Sequence, residues 1–388
     1  MSLLISYSIK NSFARRLTSL LTLLGIGLVV FVFAAVLMLA NGLRQALVET
    51  GTPGNVVALR QAASTEVVSI IYRNQADVVK ADRAIMTDST GAPVFASELV
   101  VLINQPRRSN GDETNITVRG VNEMSLKLRP QVRIVQGRMW RPGTSEIIAG
   151  RKAAENFVGC GLGETVRFGQ RQWTVVGVFE ANGSGFESEV WGDVDQLMDA
   201  FQRPVFSSLI FRLKNPDDLP VVKSRIESDP RVTLQVKPEI QYYREQSEVF
   251  ANFIQVLGTV ISIVFSLGAI VGAMITMYAA VANRTREIGT LRALGFSRTS
   301  VLTAFLAEAI IIALVGGIIG ILFANLLAFR EVSTTNFSTF AEVAFSFRMS
   351  PQIAMEALGF ALIMGIIGGF LPAVRAARSR VINSLRAR

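Results

Sequence analysis

Four stretches of the chain carry no charged residue, and each is long enough, or nearly long enough, to cross a membrane. About 20 apolar residues in a helix span the hydrocarbon core of a bilayer. A soluble core helix this apolar would need an improbably large partner surface. The pattern therefore predicts four membrane-spanning helices. The uncharged stretches are residues 17–43, 249–283, 309–329 and 357–374.

The first stretch follows Lys10, Arg15 and Arg16, an order that secretory signal peptides also show. Its apolar run is much longer than the roughly 7–15 residues of a signal-peptide core, and no clear small-residue cleavage site follows. We therefore expect an uncleaved membrane anchor. The second stretch is longer than one bilayer crossing, so we expect its first part to project from the membrane as a stalk.

The distribution of lysine and arginine predicts the orientation. Residues 41–248 hold 25 basic and 25 acidic side chains, whereas the N-terminus, the 284–298 loop and the tail from Arg375 together hold 12 basic residues and one acid, Glu287. Four crossings place these three basic segments on one side, which the positive-inside rule assigns to the cytoplasm. The net charge of +9 is thus a topology signal and a match for anionic lipid head groups, and does not indicate nucleic acid binding.

Composition excludes several classes of site. The chain has no histidine and a single cysteine, Cys160, so histidine catalysis, histidine metal ligation and an intrachain disulfide are all excluded, and we expect no metal site. Cys160 is expected to be buried and inert. No phosphate-binding loop of the Walker type occurs, and no catalytic cluster stands out.

The predicted fold is an α-helical membrane protein of four transmembrane helices, with an α/β extracytoplasmic domain inserted between helices 1 and 2. The expected segments are a cytoplasmic amphipathic segment (1–16), helix 1 (17–40), the α/β domain (41–248), helix 2 with its stalk (249–283), a cytoplasmic loop (284–300), helix 3 (301–329), a short periplasmic loop (330–350), helix 4 (351–374) and a basic cytoplasmic tail (375–388).

Alternating and apolar runs predict strands in the inserted domain. A strand–helix–strand module is expected over Ser207–Val236, and Ser184–Trp191 is expected to be an exposed loop or a partner contact. The other predicted strands are Asn55–Leu59, Leu99–Ile103, Asn115–Arg119, Thr144–Ala149 and Gln172–Phe179.

The cytoplasmic loop between helices 2 and 3 predicts a short amphipathic helix. Ile288, Leu291 and Leu294 recur every three residues and share one face. Gly295 fits the left-handed position that ends a helix, and Ser297 fits the N-cap of the next one. Such a helix either docks against a partner protein or rests on the bilayer surface.

The residues Arg286–Gly295, followed by Phe305–Gly317, resemble the permease motif of the MacB/FtsX family of ABC transporters, and Leu371–Ala377 and Asn383–Arg386 are similar to the family's C-terminus. The order of segments along the whole chain also matches that family. The resemblance implies that the loop is a coupling helix that docks in a groove of an ATPase subunit. The implied coupling residues are Arg284, Arg286, Glu287, Ile288, Gly289, Leu291, Arg292, Leu294 and Gly295.

The resemblance implies a non-catalytic permease in the bacterial inner membrane. ATP and magnesium would be bound by a separate ABC ATPase, with no cofactor on this chain. A second permease copy, identical or related, would pair with it, because an ATPase dimer offers two grooves and this chain offers one coupling helix. A MacB-like exporter would also use a periplasmic adaptor and a TolC-like outer-membrane channel. The alternatives are lipoprotein or lipid extraction, as by LolC/LolE, and FtsX-like control of an extracytoplasmic enzyme without transport.

Two further features of the helices are candidate sites. Glu308 is an acid within the third helix and favours a structural or coupling role over a proton relay, because no second buried acid or base accompanies it in the sequence. Pairs of glycines four residues apart favour close helix packing, within the chain or between subunits. These glycines are Gly268 and Gly272, Gly316 and Gly320, and Gly365 and Gly369.

Overall fold

The computed structural model describes residues 16–335 and 339–378. The amphipathic segment expected before residue 16 and the tail beyond residue 378, including Asn383–Arg386, lie outside the described residues. The chain divides into two compact units, named here the membrane unit and the soluble unit. The membrane unit comprises Met1–Asn41, Asn252–Arg330 and Ser346–Arg388, and the soluble unit comprises Gly42–Ala251 and Glu331–Phe345.

Helices occupy both units. Among the described residues, the four long helices are apolar enough to cross a membrane, as the sequence predicts. The α-helices are α1 (Arg16–Val48), α2 (Arg73–Lys80), α3 (Glu123–Leu128), α4 (Arg151–Asn156), α5 (Val194–Ala200), α6 (Leu219–Ser228), α7 (Glu239–Asn283), α8 (Thr285–Ala293), α9 (Arg298–Leu326) and α10 (Pro351–Arg378).

The soluble unit is built on a ten-stranded mixed sheet. Its strands run in the order β10-β1-β9-β2-β3-β8-β5-β7-β4, with β6 beside β7. The pairs β3–β8 and β5–β7 are parallel, and the other pairs are antiparallel. The strands are β1 (Asn55–Arg60), β2 (Phe95–Pro106), β3 (Glu113–Val121), β4 (Arg133–Gly137), β5 (Glu146–Gly150), β6 (Thr165–Phe168), β7 (Arg171–Glu180), β8 (Glu189–Asp193), β9 (Ser208–Arg212) and β10 (Leu234–Pro238).

Both faces of the sheet are covered. Val56 and Ala58 of β1 belong to one buried apolar cluster, and Val57 and Leu59 belong to another. Because successive side chains of a strand point to opposite faces, the two clusters lie on opposite sides of the sheet. This inserted domain is the α/β domain that the sequence predicts. Each strand predicted from the alternating runs overlaps an observed strand.

The segment 184–191 differs from its prediction as an exposed loop. A short 3-10 helix, Gly185–Ser188, leads into β8, and Phe186 and Trp191 are fully buried. Glu187 and Glu189 made this segment look exposed in the sequence, because acids normally indicate exposure. Cationic side chains that lie elsewhere in the sequence offset their charges: Arg119 bonds Glu189, and Lys152 lies 3.9 Å from Glu187.

Helix α7 begins at Glu239, before the charge-free stretch that predicts a start at residue 249. Residues 239–248 include Arg244, Glu245 and Glu248, so hydropathy alone does not detect this part of the helix. At about 1.5 Å per residue, its 45 residues measure roughly 68 Å, about twice the hydrocarbon thickness. The predicted stalk is therefore an unbroken extension of the second membrane helix.

The stretch 330–350, predicted as a short loop, contains a β-hairpin made of β11 (Glu331–Thr335) and β12 (Glu342–Ser346). Its residues up to Phe345 belong to the soluble unit. Lys152 Nζ donates to the carbonyl oxygen of Ala344 at 2.9 Å, and Arg107 Nε donates to Glu342 Oε2 at 2.7 Å. These contacts join distant parts of the sequence, which explains why the sequence does not predict the docked hairpin.

Two of the three glycine pairs pack inside the membrane unit. A Cβ built on Gly320 would lie 2.4 Å from the carbonyl oxygen of Gly27 in α1, and one on Gly365 would lie 2.6 Å from the Cβ of Ala313 in α9. Neither position has room for a side chain. The glycines packed in this way are Gly316, Gly320, Gly365 and Gly369.

The third pair, Gly268 and Gly272, is open. Among the described residues, no atom lies within 4 Å of a Cβ built at either position. Both glycines line an apolar groove of about 510 Å³ between α1 and α7. Within the described part of the chain, the third pair therefore does not make the close helix contact that the other two pairs make.

Candidate functional site

Helix α8 lies between α7 and α9 and is terminated by its own sequence. Gly295 has a φ of +93°, a conformation that costs glycine little. The amide of Phe296 donates to the carbonyl of Leu291, and that of Gly295 to the carbonyl of Arg292, which together form a Schellman stop. Ser297 Oγ then accepts from the amide of Ser300 and caps α9. Both local predictions are confirmed.

The apolar stripe of α8 does not face one way. Ile288 is 1% exposed and packs in a cluster with Val281, Val301 and Phe305 of the membrane unit, whereas Leu294 is 72% exposed. The expectation that Ile288 would help to fill a partner's pocket is therefore wrong. Arg286, Glu287 and Leu294 are exposed, Leu291 and Arg292 are half-buried, and Gly289 is buried.

Arg284, one of the residues implied to couple to the ATPase, is buried. It lies at the junction of α7 and α8, is 5% exposed, and its Nη1 lies 3.0 Å from Oε2 of Glu308 in α9. The buried acid therefore has a basic partner, which its sequence surroundings did not indicate. Glu287, which the spacing would allow to pair with Arg284, is exposed instead.

A cavity of about 40 Å³ adjoins this ion pair. Its wall takes Thr22 from α1, Thr276 from α7 and Gly369 from α10, in addition to Glu308 of α9. The hydroxyls of Thr22 and Thr276 are 2.8 Å apart and hydrogen-bonded. The pair therefore lies where all four membrane helices meet.

The soluble unit contains a buried network of charges. Arg119 of β3 makes paired hydrogen bonds to Glu66, at 2.9 and 3.0 Å, and to Glu189 of β8, at 2.7 and 2.9 Å. It also donates to Glu98 of β2 at 3.0 Å. Arg129, completely buried, bonds the other oxygen of Glu98. Glu98 therefore bridges the two guanidinium groups.

The network ends on the first residue of α7. Arg129 Nη2 donates to Oε1 of Glu239 at 3.2 Å. The other carboxylate oxygen of Glu239 accepts from the amide of Thr52 at 2.9 Å and from the Asn55 side chain at 3.0 Å. Charge-assisted hydrogen bonds of this kind fix geometry strongly in a buried setting. The network thus fastens the root of α7 to the sheet.

Burial and charge act in opposite directions on Glu66. Burial raises the pKa of its carboxyl group, but the attraction of Arg119 and the hydrogen bonds from Arg119 and Ser208 outweigh it, and the pKa lies below its ordinary value of 4.5. The pKa of Arg119 is raised, because its neighbouring carboxylates outweigh the effect of burial. Both groups are therefore charged near neutral pH.

The sequence gives a weak signal of this network. Glu98 lies inside a largely apolar strand, and a charged side chain in such a position needs a buried partner. Its partners are far away in the sequence, so they are not predictable from spacing. Cys160 is buried as expected, and burial raises the pKa of its thiol to about 12.

Two family models match successive parts of the chain. The MacB-like periplasmic core domain matches residues 19–229, and the FtsX-like permease C-terminal domain matches residues 259–381. The former matches more than half of the chain and the latter includes α8, α9 and Glu308.

Two relatives resemble this chain in sequence over nearly its whole length. The uncharacterized ABC transporter permease YknZ of Bacillus subtilis (strain 168) is 25% identical over 406 residues, which cover 100% of both chains. The macrolide export ATP-binding/permease protein MacB of Escherichia coli is 26% identical over 401 residues, which cover 97% of this chain and 59% of that protein. The chain thus spans little more than half the length of that relative.

Solved structures also resemble the chain. The extracellular domain of YknZ matches 47% of this chain and 99% of its own, with a TM-score of 0.35 and 16% identity. The periplasmic region of MacB from Actinobacillus actinomycetemcomitans matches 50% of this chain and 93% of its own, with a TM-score of 0.36 and 11% identity. On the match of the family models, the chain belongs to the MacB/FtsX-like family of ABC transporter permeases.

Proposed function

We propose that the chain is the permease subunit of an ABC-type exporter that passes ATP-driven motion from a separate ATPase to its soluble domain. The observation that carries the proposal is the position of α8, which is connected at both ends to membrane helices. Ile288 of α8 is buried in the membrane unit, whereas Leu294, directly after the helix, is exposed. An exposed apolar side chain beside such a buried contact is suited to a partner's pocket. ATP and magnesium would be bound by the partner.

Helix α7 supports transmission over a long distance. It runs from Glu239 in the charge network to Asn283 at the α8 junction, and the proposal requires it to carry a displacement of α8 toward Glu239. A second connection runs through the hairpin β11–β12, which is bonded to the rest of the soluble unit through Arg107 and Lys152 and lies between α9 and α10 in the chain. Movement of any of these helices would therefore act on the soluble unit.

The assembly and its location follow from this proposal. Two copies, identical or related, would serve the two grooves of an ATPase dimer. The open groove at Gly268 and Gly272 provides a small-residue face of the kind that membrane helices use to associate. The charge pattern favours cytoplasmic termini in a bacterial inner membrane. The relative named for macrolide export supports efflux, and a periplasmic adaptor and a TolC-like channel are part of this proposal by resemblance to MacB-like exporters.

Copurification tests the proposal. The full chain, tagged and extracted in mild detergent, should retain an ABC ATPase. Leu294→Asp should lose most of that ATPase at an unchanged thermal unfolding midpoint, because the side chain is exposed in the chain itself. Ile288→Ala should lower the midpoint, since removing a buried side chain of this size costs about 2–5 kcal/mol.

The two variants control each other. Retention of the ATPase by Leu294→Asp at the wild-type level would contradict docking through α8. A wild-type chain that retains no ATPase, and binds vesicles of anionic lipid through the loop arginines instead, would support the bilayer-surface interpretation.

A further inference from the structure

The ion pair between Arg284 and Glu308 is an unusual way to hold two membrane helices together. Both side chains are at most 6% exposed, and their charged atoms are 3.0 Å apart. A buried ion pair often stabilises a fold no better than apolar side chains of similar volume. Packing alone therefore does not account for the pair.

The pair differs from apolar contacts in how its attraction changes with distance. A gap of about 0.5–1 Å removes a quarter to a half of a dispersion contact, whereas the attraction between charges declines only as the inverse of their separation. The hydrogen bond from Arg284 Nη1 to Glu308 Oε2 adds to this attraction. Such a link resists separation of the two helix ends.

The position of the pair connects the exposed helix to the whole bundle. Arg284 immediately precedes α8, and Glu308 lies in α9 at a cavity that α1, α7 and α10 also line. Packing there is tight, since a Cβ on Gly369 would lie 2.4 Å from that of Ala309, the neighbour of Glu308. A displacement of Glu308 would therefore also displace α10.

We propose that Arg284 and Glu308 are positioning residues for energy coupling: their ion pair holds the N-terminal end of α8 to α9, so that movement of α8 is passed to the junction of the four membrane helices. This inference rests on the proposed function of α8. It assigns a task to an intramembrane acid and to a loop arginine that need not touch the ATPase.

The test uses the full chain purified together with its ATPase. Glu308→Gln and Arg284→Gln should retain the ATPase. Each should reduce the permease-dependent change in ATP hydrolysis about tenfold, which is within the range of coupling between sites. The double Gln variant removes both charges and should recover the thermal unfolding midpoint without recovering coupling. The charge exchange Arg284→Glu with Glu308→Arg should recover coupling as well.

A matched control pair lies in the soluble unit. Arg108 and Glu164 form an ion pair with side chains 35% and 39% exposed, and changing both to Gln should leave coupling unaltered. Wild-type coupling in the double Gln variant of Arg284 and Glu308 would overturn the proposal, because the pair would then serve folding only. Where the charge exchange fails to fold, the double Gln variant decides.

A second readout does not need the ATPase. Ile288→Cys, in a Cys160→Ser background, places a thiol at a buried position of α8. This thiol should react only when that part of α8 moves away from the apolar cluster that covers it. Glu308→Gln should raise its rate of labelling by a maleimide several-fold, and an unchanged rate would overturn the proposal. Absence of any copurifying ATPase would instead contradict the proposed function and leave this measurement to judge the pair.

Discussion

Arg129 is completely buried and joins two carboxylates, Glu98 and Glu239, that lie on different elements of the soluble unit. Its guanidinium also lies 4.7 Å from the ring centroid of Phe186 and 5.8 Å from that of Trp191. Removing this cation would leave both carboxylates without its positive charge in a site buried from water. The network is therefore a point at which one substitution should matter greatly.

Arg129→Met should destabilise the protein by about 3–5 kcal/mol, the usual cost of breaking a buried ion pair on one side. Unfolding of the full chain followed by tryptophan fluorescence measures this, because Trp191 lies beside the site. Arg138→Met is the matched control, since Arg138 bonds Glu146 at the surface, where such pairs contribute little. Equal losses in the two variants would show that the network has no special weight.

Residues whose role is local were predictable, and residues whose role is tertiary were not. Gly295 and Ser297 act through hydrogen bonds to neighbours within five residues, so their roles are visible in the sequence. Arg284 and Glu308 are 24 residues apart and meet only when α7 and α9 pack. Ile288 looked like a contact for a partner because periodicity gives the width of an apolar face and not the identity of what covers it.

Elements show the same division. Absence of charge located the four membrane helices, because burial in lipid excludes charge from a long continuous stretch. The stalk part of α7 contains charged residues, so the absence of charge did not locate it. Strand β8 and the hairpin β11–β12 were missed for a related reason. Their acids, Glu189 and Glu342, are bonded to the distant residues Arg119 and Arg107, which spacing cannot supply.

The glycines give a prediction at the scale of the helices. Gly365→Ala should lower the thermal unfolding midpoint of the purified chain, since its Cβ would lie 2.6 Å from that of Ala313 and α9 and α10 would have to separate. Gly272→Ala should leave the midpoint unchanged or raise it, because the groove is open there and alanine favours a helix by about 1 kcal/mol.

Both variants change glycine to alanine in a membrane helix, so each is the control for the other. A lower midpoint for Gly272→Ala would mean that a second copy already fills the groove in the purified protein. Size-exclusion chromatography of that variant against wild type would identify such a dimer. No change in Gly365→Ala would contradict the close contact between α9 and α10.

For the whole molecule, transmission requires that the soluble unit and α8 face opposite sides of the membrane. Four crossings and the charge pattern of the sequence predict that arrangement, with the balanced charges of residues 41–248 outside and the basic loop inside. Ser109 in the soluble unit and Ser297 beyond α8 are both exposed. A single cysteine at each position therefore reports the side on which its unit lies.

In a Cys160→Ser background, cysteine at Ser109 should react with a membrane-impermeant maleimide in intact spheroplasts, and cysteine at Ser297 should react only after lysis. Lysed cells supply the control for intrinsic reactivity, because both sites are then accessible. The background substitution removes a thiol that is buried and whose pKa is raised to about 12, so it should not alter the labelling of the two introduced cysteines. The reverse labelling pattern would place α8 outside the cell, where no ATP-driven partner could move it, and would remove the basis of the coupling proposal.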